Sequence, residues 1–256
     1  MKRIVKRLVP AWLLERAKFL YYPIKLQLSR YEDEPEMDGV RKLVAPGDVV
    51  VDIGANMGVY THLLSRLVGA RGRVYSFEPV PRTFALLRWG VQVLARKNVR
   101  VSNHAISDRA GRRSMQIPVF ADTGKRNYYM AAVVPNEKVI PDARDQFAIQ
   151  TTTLAAALSG ETQKVSFIKC DVEGHENAVF IGSEQVLASS RPALLIEVSG
   201  NPEASEGNAA ELLALLTKYE YAPCVFESGE FRRRRSGETQ INYFFLTPEH
   251  LARFSV

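Results

Sequence analysis

Apolar residues stand on consecutive positions at Val49-Val50-Val51 and again at Leu194-Leu195-Ile196, and between such runs they recur at helical spacing. Apolar side chains on neighbouring positions mark strands covered on both faces. Strand and helix in alternation mark parallel strands joined by crossover helices. The pattern predicts strands at Asp48–Ile53, Arg73–Phe77, Val99–Ala105, Val165–Cys170, Ala193–Val198, Tyr221–Phe226 and Asn242–Leu246. Helices are expected at 57–68, 81–95, 175–189 and 205–218. Residues 112–150 break the rhythm with Pro118, Gly124, Pro135 and Pro141, and read as a hairpin or lid inserted after the third strand. No helix fits between the last two strands, whose connection carries Ser228-Gly229 and Ser236-Gly237, so these pair antiparallel. The expected fold is α/β: a seven-stranded, mostly parallel sheet ending in an antiparallel hairpin, with helices on both faces.

Composition adds limits. Of 256 residues 46% are apolar and 24% charged, so the chain can bury a core and is neither disordered nor fibrous. Two distant cysteines, Cys170 and Cys224, make neither a disulfide framework nor a zinc site and fit a reducing, cytoplasmic setting. The net charge of +6 is local. Residues 1–30 hold eight basic residues against one acid, Glu15, leaving 26 basic and 27 acidic residues in the rest. A neutral body argues against nucleic acid as a partner.

The organisation is a basic amphipathic helical segment over residues 1–40 followed by a catalytic-type domain over 41–256. No stretch is apolar enough to cross a membrane. Ile4/Val5, Leu8/Val9, Trp12/Leu13 and Leu20 form a helical stripe with Lys and Arg between them. This stripe either docks on its own domain or on a second copy in a homo-oligomer, or makes peripheral contact with the inner face of a membrane.

The first chemical constellation is a strand, a glycine turn and a helix start: Val50-Val51-Asp52-Ile53-Gly54-Ala55-Asn56-Met57-Gly58-Val59-Tyr60. Such a turn is the ligand crevice of a doubly wound sheet. Glu78 follows Gly58 by 20 residues at the end of the second strand, where a carboxylate accepts both ribose hydroxyls of an adenosine. A dinucleotide site needs G-x-G-x-x-G to seat a pyrophosphate. Here Asn56 replaces the middle glycine and the acid Asp52 precedes the turn, which favours a cationic sulfonium ligand, S-adenosylmethionine. At the third strand end, Asn103 or Ser107 is placed to bond the adenine edge.

The second constellation, Lys169-Cys170-Asp171-Val172-Glu173-Gly174-His175-Glu176, closes an apolar strand with acids and a histidine. In a parallel sheet this end opens onto the same crevice. Methylating a hydroxyl requires the oxygen to lose a proton as the methyl arrives, and a His or Asp in reach serves as general base. Asp171 and His175 are the candidates, with Glu173 as substrate ligand or helper. Lys169 and Glu197, at the next strand end, complete the substrate side, Lys169 being also a possible partner for the buried carboxylates beside it. Asp171 with Glu197 is also a conceivable divalent-cation pair, since hard metals take carboxylate oxygen. Arg232-Arg233-Arg234-Arg235 is placed to meet phosphate or is plain solvated surface.

Together Pro46-Gly47-Asp48, Asp52 through Thr61, Phe77-Glu78-Pro79, Thr152-Thr153-Leu154, Ile168 through Glu176, and Arg191-Pro192 with Glu197 resemble the FkbM family of methyltransferases over roughly residues 44–247. The resemblance implies a class I, Rossmann-like methyltransferase fold and S-adenosylmethionine-dependent O-methylation. It also implies a hydroxyl acceptor in a glycan, a glycolipid or a polyketide-type natural product. One departure stands out: acidic residues usually follow the Thr-Thr-x-Leu segment, and here Ala155-Ala156-Ala157 does. Two alternatives remain. A nicotinamide-dependent oxidoreductase or epimerase would want G-x-G-x-x-G and a Tyr-x-x-x-Lys pair beyond it; the pair present, Tyr21 and Lys25, precedes the turn and spans Pro23. A catalytically inactive binding module would have no need of Asp171 and His175.

Overall fold

The computed structural model describes residues 11–28, 35–118, 130–134, 146–238 and 240–254. After helices α1 (Ala11–Leu28) and α2 (Glu36–Leu43) come β1 (Val49–Ile53), α3 (Val59–Val68), β2 (Arg73–Phe77), α4 (Pro81–Val93) and β3 (Val99–Ser102). Four further strands follow: β4 (Ala105–Ile106), β5 (Gly111–Gln116), β6 (Ala132–Val133) and β7 (Gln146–Thr152). Then come α5 (Leu154–Ala157), β8 (Val165–Cys170), α6 (Glu176–Ile181), α7 (Glu184–Ser190), β9 (Ala193–Glu197) and α8 (Asn208–Lys218). The chain finishes with β10 (Ala222–Glu227), β11 (Glu230–Arg233), β12 (Asn242–Leu246) and α9 (Pro248–Phe254).

The main sheet has the order β11-β10-β12-β9-β8-β1-β2-β3. The five strands from β9 to β3 run parallel, and β12 and β10 are antiparallel additions. All seven expected strands are present, and the connection between β10 and β12 supplies an eighth, β11, at the edge. Alternation in β1 divides the core. Val49, Val51 and Ile53 face a layer containing Val179 and Phe180 of α6, Leu187 of α7 and Leu216 of α8. Val50 faces Val40 of α2, Leu63 and Leu64 of α3, and Leu251 of α9. Both faces of β1 are buried, which is why its sequence reads as a continuous apolar run.

Two expectations are corrected. The third strand ends at Ser102, and Ala105-Ile106 leave it to pair in parallel with Thr151-Thr152 in a second sheet of order β4-β7-β5-β6. The helix expected over 175–189 is two, interrupted at Gly182-Ser183, where Gly182 packs so closely on the Ser107 carbonyl that an added Cβ would lie 1.9 Å away. Of the 112–150 insert, the described parts form β5, β6 and β7, with β5 and β7 paired antiparallel; 119–129 and 135–145 lie outside the described residues. The Ile4/Val5 and Leu8/Val9 part of the N-terminal stripe also lies outside them.

Candidate active site

The turn after β1 is built from left-handed backbone: φ is +74° at Gly54, +49° at Asn56 and +94° at Gly58. Gly54 is required on two counts, since a Cβ there would also come 1.8 Å from the Asp171 carbonyl oxygen. The turn is tied to β2 by the Gly54 and Ala55 amides, which both donate to the Phe77 carbonyl at 3.0 Å. Glu78 completes the tie: Oε2 accepts the Asn56 amide and Oε1 the Val80 amide, each at 2.8 Å. The carboxylate is thus brace and helix cap at once, while each oxygen keeps a lone pair for a ligand hydroxyl. Asn56 Oδ1 is buried with no hydrogen-bond partner among the described residues, an acceptor left for a ligand donor. Asn103 donates its amide to the Glu78 and Pro79 carbonyls at 2.7 and 3.0 Å, so it steadies the Glu78 loop.

Burial pushes the Glu78 carboxyl from an ordinary 4.5 up to about 7, against the two amide bonds that favour its charge. An acid whose pKa is raised on folding is equally protonated in both states below about 4.5 and weakens the folded state as pH climbs towards 7. The expected cost at pH 8 is about 3 kcal/mol for ligand-free protein. In denaturant melts, the Glu78→Gln variant should therefore gain stability relative to the parent between pH 4.5 and 8. A difference that stays flat across that window would refute a raised Glu78 pKa.

Asp52 takes a place other than the one expected. Asp52 is wholly buried beneath the turn; Thr61 Oγ1 donates to its Oδ2 at 2.6 Å and Lys169 Nζ lies 4.0 Å from Oδ1. The direct meeting of Asp52 with a ligand is therefore corrected: it is the counter-charge of a buried lysine. Of the two places expected for Lys169, the structure shows the charge partner of the carboxylates, turned inward, in place of the substrate ligand. Its ammonium sits 3.0 Å from Asp171 Oδ2, 3.3 Å from the Gly54 carbonyl and 5.2 Å from the centre of the Tyr60 ring. Burial works to lower the Lys169 pKa, but Asp171 and Asp52 outweigh it and hold the ammonium above its ordinary value. Tyr60 accordingly packs against this ammonium by its ring face.

The carboxylates of Asp171, Glu173 and Glu197 each place an oxygen within 4.8 Å of the others. Burial, then Asp171 and Glu173, push Glu197 up to about 7; burial and Asp171 also raise Glu173. Glu173 holds a φ of +52°, a conformation imposed at the strand-to-helix turn it shares with Gly174. A divalent cation is poorly served here, because the Lys169 ammonium already occupies Asp171. Groups that donate hydrogen bonds without charge, such as a row of hydroxyls, suit the trio better.

His175 Nε2 lies 2.9 Å from Ser107 Oγ, and Ser107 donates to Asp108 Oδ1 at 2.9 Å. Arg113 holds the same Asp108 oxygen at 2.6 Å. Ser107 Oγ thus bridges Asp108 and the imidazole; a Ser107 proton given to Asp108 would put the His175 proton on Nε2 and leave Nδ1 with the lone pair. Burial and Arg113 lower the His175 pKa to about 4, so the ring is neutral at pH 7. The expected adenine contact at Ser107 is corrected: the residue is fully buried and committed to this chain.

Six of these residues line one cavity. Gly54, Asn56 and Glu78 lie on its wall together with Asp171, Glu173 and His175. Sequence reasoning missed Met115, Ala131 and Val133, through which the second sheet closes over the cavity; apolar Met115 and Ile117 alternating with Gln116 are a local signal for the first of these. Elsewhere, the basic run in the last connection is engaged: Arg232 pairs with Glu227 and Glu238, and Arg234 with Glu203. Thr153 caps α5 through the Ala156 amide, so the departure at Ala155-Ala156-Ala157 leaves no helix start uncapped there.

Residues 52–223 match the family model of the methyltransferase FkbM domain. Over 70 residues the chain is 46% identical to the 31-O-demethyl-FK506 methyltransferase FkbM of Streptomyces tacrolimicus, a stretch covering 27% of this chain and 26% of that protein. Among solved structures it is similar to methyltransferase FkbM from Methylobacillus flagellatus KT, at 16% identity and TM-score 0.47, covering 95% of this chain and 57% of that one. It is also similar to Aeropyrum pernix fibrillarin in complex with natively bound S-adenosyl-L-methionine, at 12% identity and TM-score 0.47, covering 82% and 73%.

Proposed function

Because the chain belongs to the FkbM methyltransferase domain family, we propose that it is an S-adenosylmethionine-dependent O-methyltransferase acting on a hydroxyl of a sugar in a glycan or glycolipid. The observation that carries the acceptor class is the convergence of Asp171, Glu173 and Glu197 within 4.8 Å beside the Glu78 cavity. Carboxylates accept hydrogen bonds and offer none when ionised, so three of them together select a molecule rich in neighbouring hydroxyls. A natural-product hydroxyl is the second reading, favoured by the local identity to a protein named as a 31-O-demethyl-FK506 methyltransferase.

Bound S-adenosylmethionine supplies the methyl group. Glu78 and Asn56 Oδ1 would hold its nucleoside, the first by accepting the ribose hydroxyls. Asp171 takes the proton that the acceptor hydroxyl sheds. His175, with a pKa about 4, is a poor carrier of that proton but a good fixed acceptor: its Nδ1 orients the hydroxyl. Glu173 binds a neighbouring hydroxyl, and the second sheet covers the reaction from water. The two buried free thiols, Cys170 and Cys224, suit a cytoplasmic enzyme.

The test is methyl transfer from labelled S-adenosylmethionine to a panel of glycans, glycolipids and polyketides, read by mass spectrometry. Label on a polyketide and none on any sugar would overturn the sugar reading. The positioning chain makes a separate prediction. Ser107→Ala should cut kcat roughly tenfold, with the KM for S-adenosylmethionine little changed, because the imidazole loses its fixed tautomer. A change confined to KM would reject that role.

A further inference from the structure

We infer that α1 and the exposed side of α4 form a face that seats the protein on an anionic lipid surface. This goes beyond methyl transfer and stands whichever acceptor is used.

Helix α1 has two working sides. Pro23 and Leu26 are buried, the Phe19 ring meets Trp89 of α4 edge to face at 6.5 Å, and the Trp89 indole donates to the Phe19 carbonyl at 2.7 Å. Arg96 adds a contact to Gln27 at 3.3 Å. That side is docked on the domain. Leu20, Tyr21, Ile24 and Leu28 nonetheless remain 73%, 60%, 56% and 73% exposed. Positions 20, 24 and 28 are four apart and 21 and 28 are seven apart, so these residues share one helical face. On α4, Trp89 and Val93, one turn apart, are 40% and 50% exposed. Docking and lipid contact are thus assigned to different sides of one helix.

The charge identifies the occupant. Residues 1–30 carry eight basic residues against one acid, while the rest of the chain is balanced. Lys25 on α1 and Arg82 and Arg88 on α4 are exposed on the same two helices. Apolar residues flanked by Tyr, Trp and a local positive charge match a headgroup layer carrying negative charge. No described helix is long and apolar enough to cross a membrane, so the contact lies in the interface plane. A second copy of the chain would bring the same +7 segment against itself, which disfavours a self-paired face.

The test is cosedimentation of the full chain with vesicles of phosphatidylcholine alone or mixed with phosphatidylglycerol. We expect binding to the mixed vesicles, weakening with added salt, and little to the neutral ones. Combined Leu20→Glu, Ile24→Glu and Leu28→Glu should lower the bound fraction roughly tenfold or more, while S-adenosylmethionine binding, read by calorimetry, stays as in the parent. The inference is overturned if the parent stays in the supernatant, if it binds both vesicles equally, or if the variant binds as well as the parent. Sedimentation velocity showing a parent dimer that the variant breaks would overturn it too, by giving the face to a second copy.

Discussion

Replacing Glu78 with alanine should abolish S-adenosylmethionine binding in calorimetry, with affinity falling at least about 100-fold. The expected loss has two sources. The ribose would lose a two-oxygen acceptor, and the Asn56 and Val80 amides would each lose the oxygen that fixes the turn. A buried amide without a partner costs about 1–3 kcal/mol, so a melting curve must accompany the titration. A folded variant that binds as tightly as the parent would remove Glu78 from the cofactor site and with it the reading of the cavity. Glu78→Gln separates the two sources, since it keeps one acceptor for the turn while halving the grip on the ribose.

The second large effect concerns turnover. Asp171→Asn should leave S-adenosylmethionine affinity within a few-fold of the parent and lower kcat by about 100- to 10,000-fold, the range typical of a missing general base. Asp171 also carries the nearest negative charge to the buried Lys169 ammonium, 3.0 Å away, and Asp52 at 4.0 Å is the only other carboxylate paired with it among the described residues. Some loss of stability therefore accompanies the substitution. Single-turnover kinetics with bound methyl donor isolates the chemical step. An unchanged chemical rate would hand the proton to another group, with Glu197, at about 7, next in line.

What the chain revealed in advance, and what it hid, divides along physical lines. Strands buried on both faces announce themselves, as Val49-Val50-Val51 and Leu194-Leu195-Ile196 do, and the Gly54 turn announces itself because only a glycine both takes the left-handed backbone and leaves room for the Asp171 carbonyl. Glu78 could be placed at a strand end by counting from Gly58, though its ribose role remains for the binding test. Hidden were the contacts made across long separations. Nothing in the local pattern says that Ser107 meets His175, 68 positions away, or that Lys169 turns inward to Asp52 and Tyr60. Two-residue strands such as Ala105-Ile106 are too short to carry a period, so the second sheet could be sensed only as an insertion. The acid at Asp52 suggested a cationic ligand for a reason that the structure revises, since Asp52 is buried beneath the turn with the Lys169 ammonium 4.0 Å away.

The interruption between α6 and α7 reaches further than its size implies. Gly182 works as a spacer: its bare Cα lets the Ser107 backbone settle against it, where any side chain would collide with the carbonyl oxygen. Ser107 also bridges Asp108 and the His175 imidazole, so a side chain at 182 would press on the backbone that carries this bridge. Gly182 is not on the wall of the Glu78 cavity, so repacking at this joint is a route by which activity could drift without any residue of that wall changing.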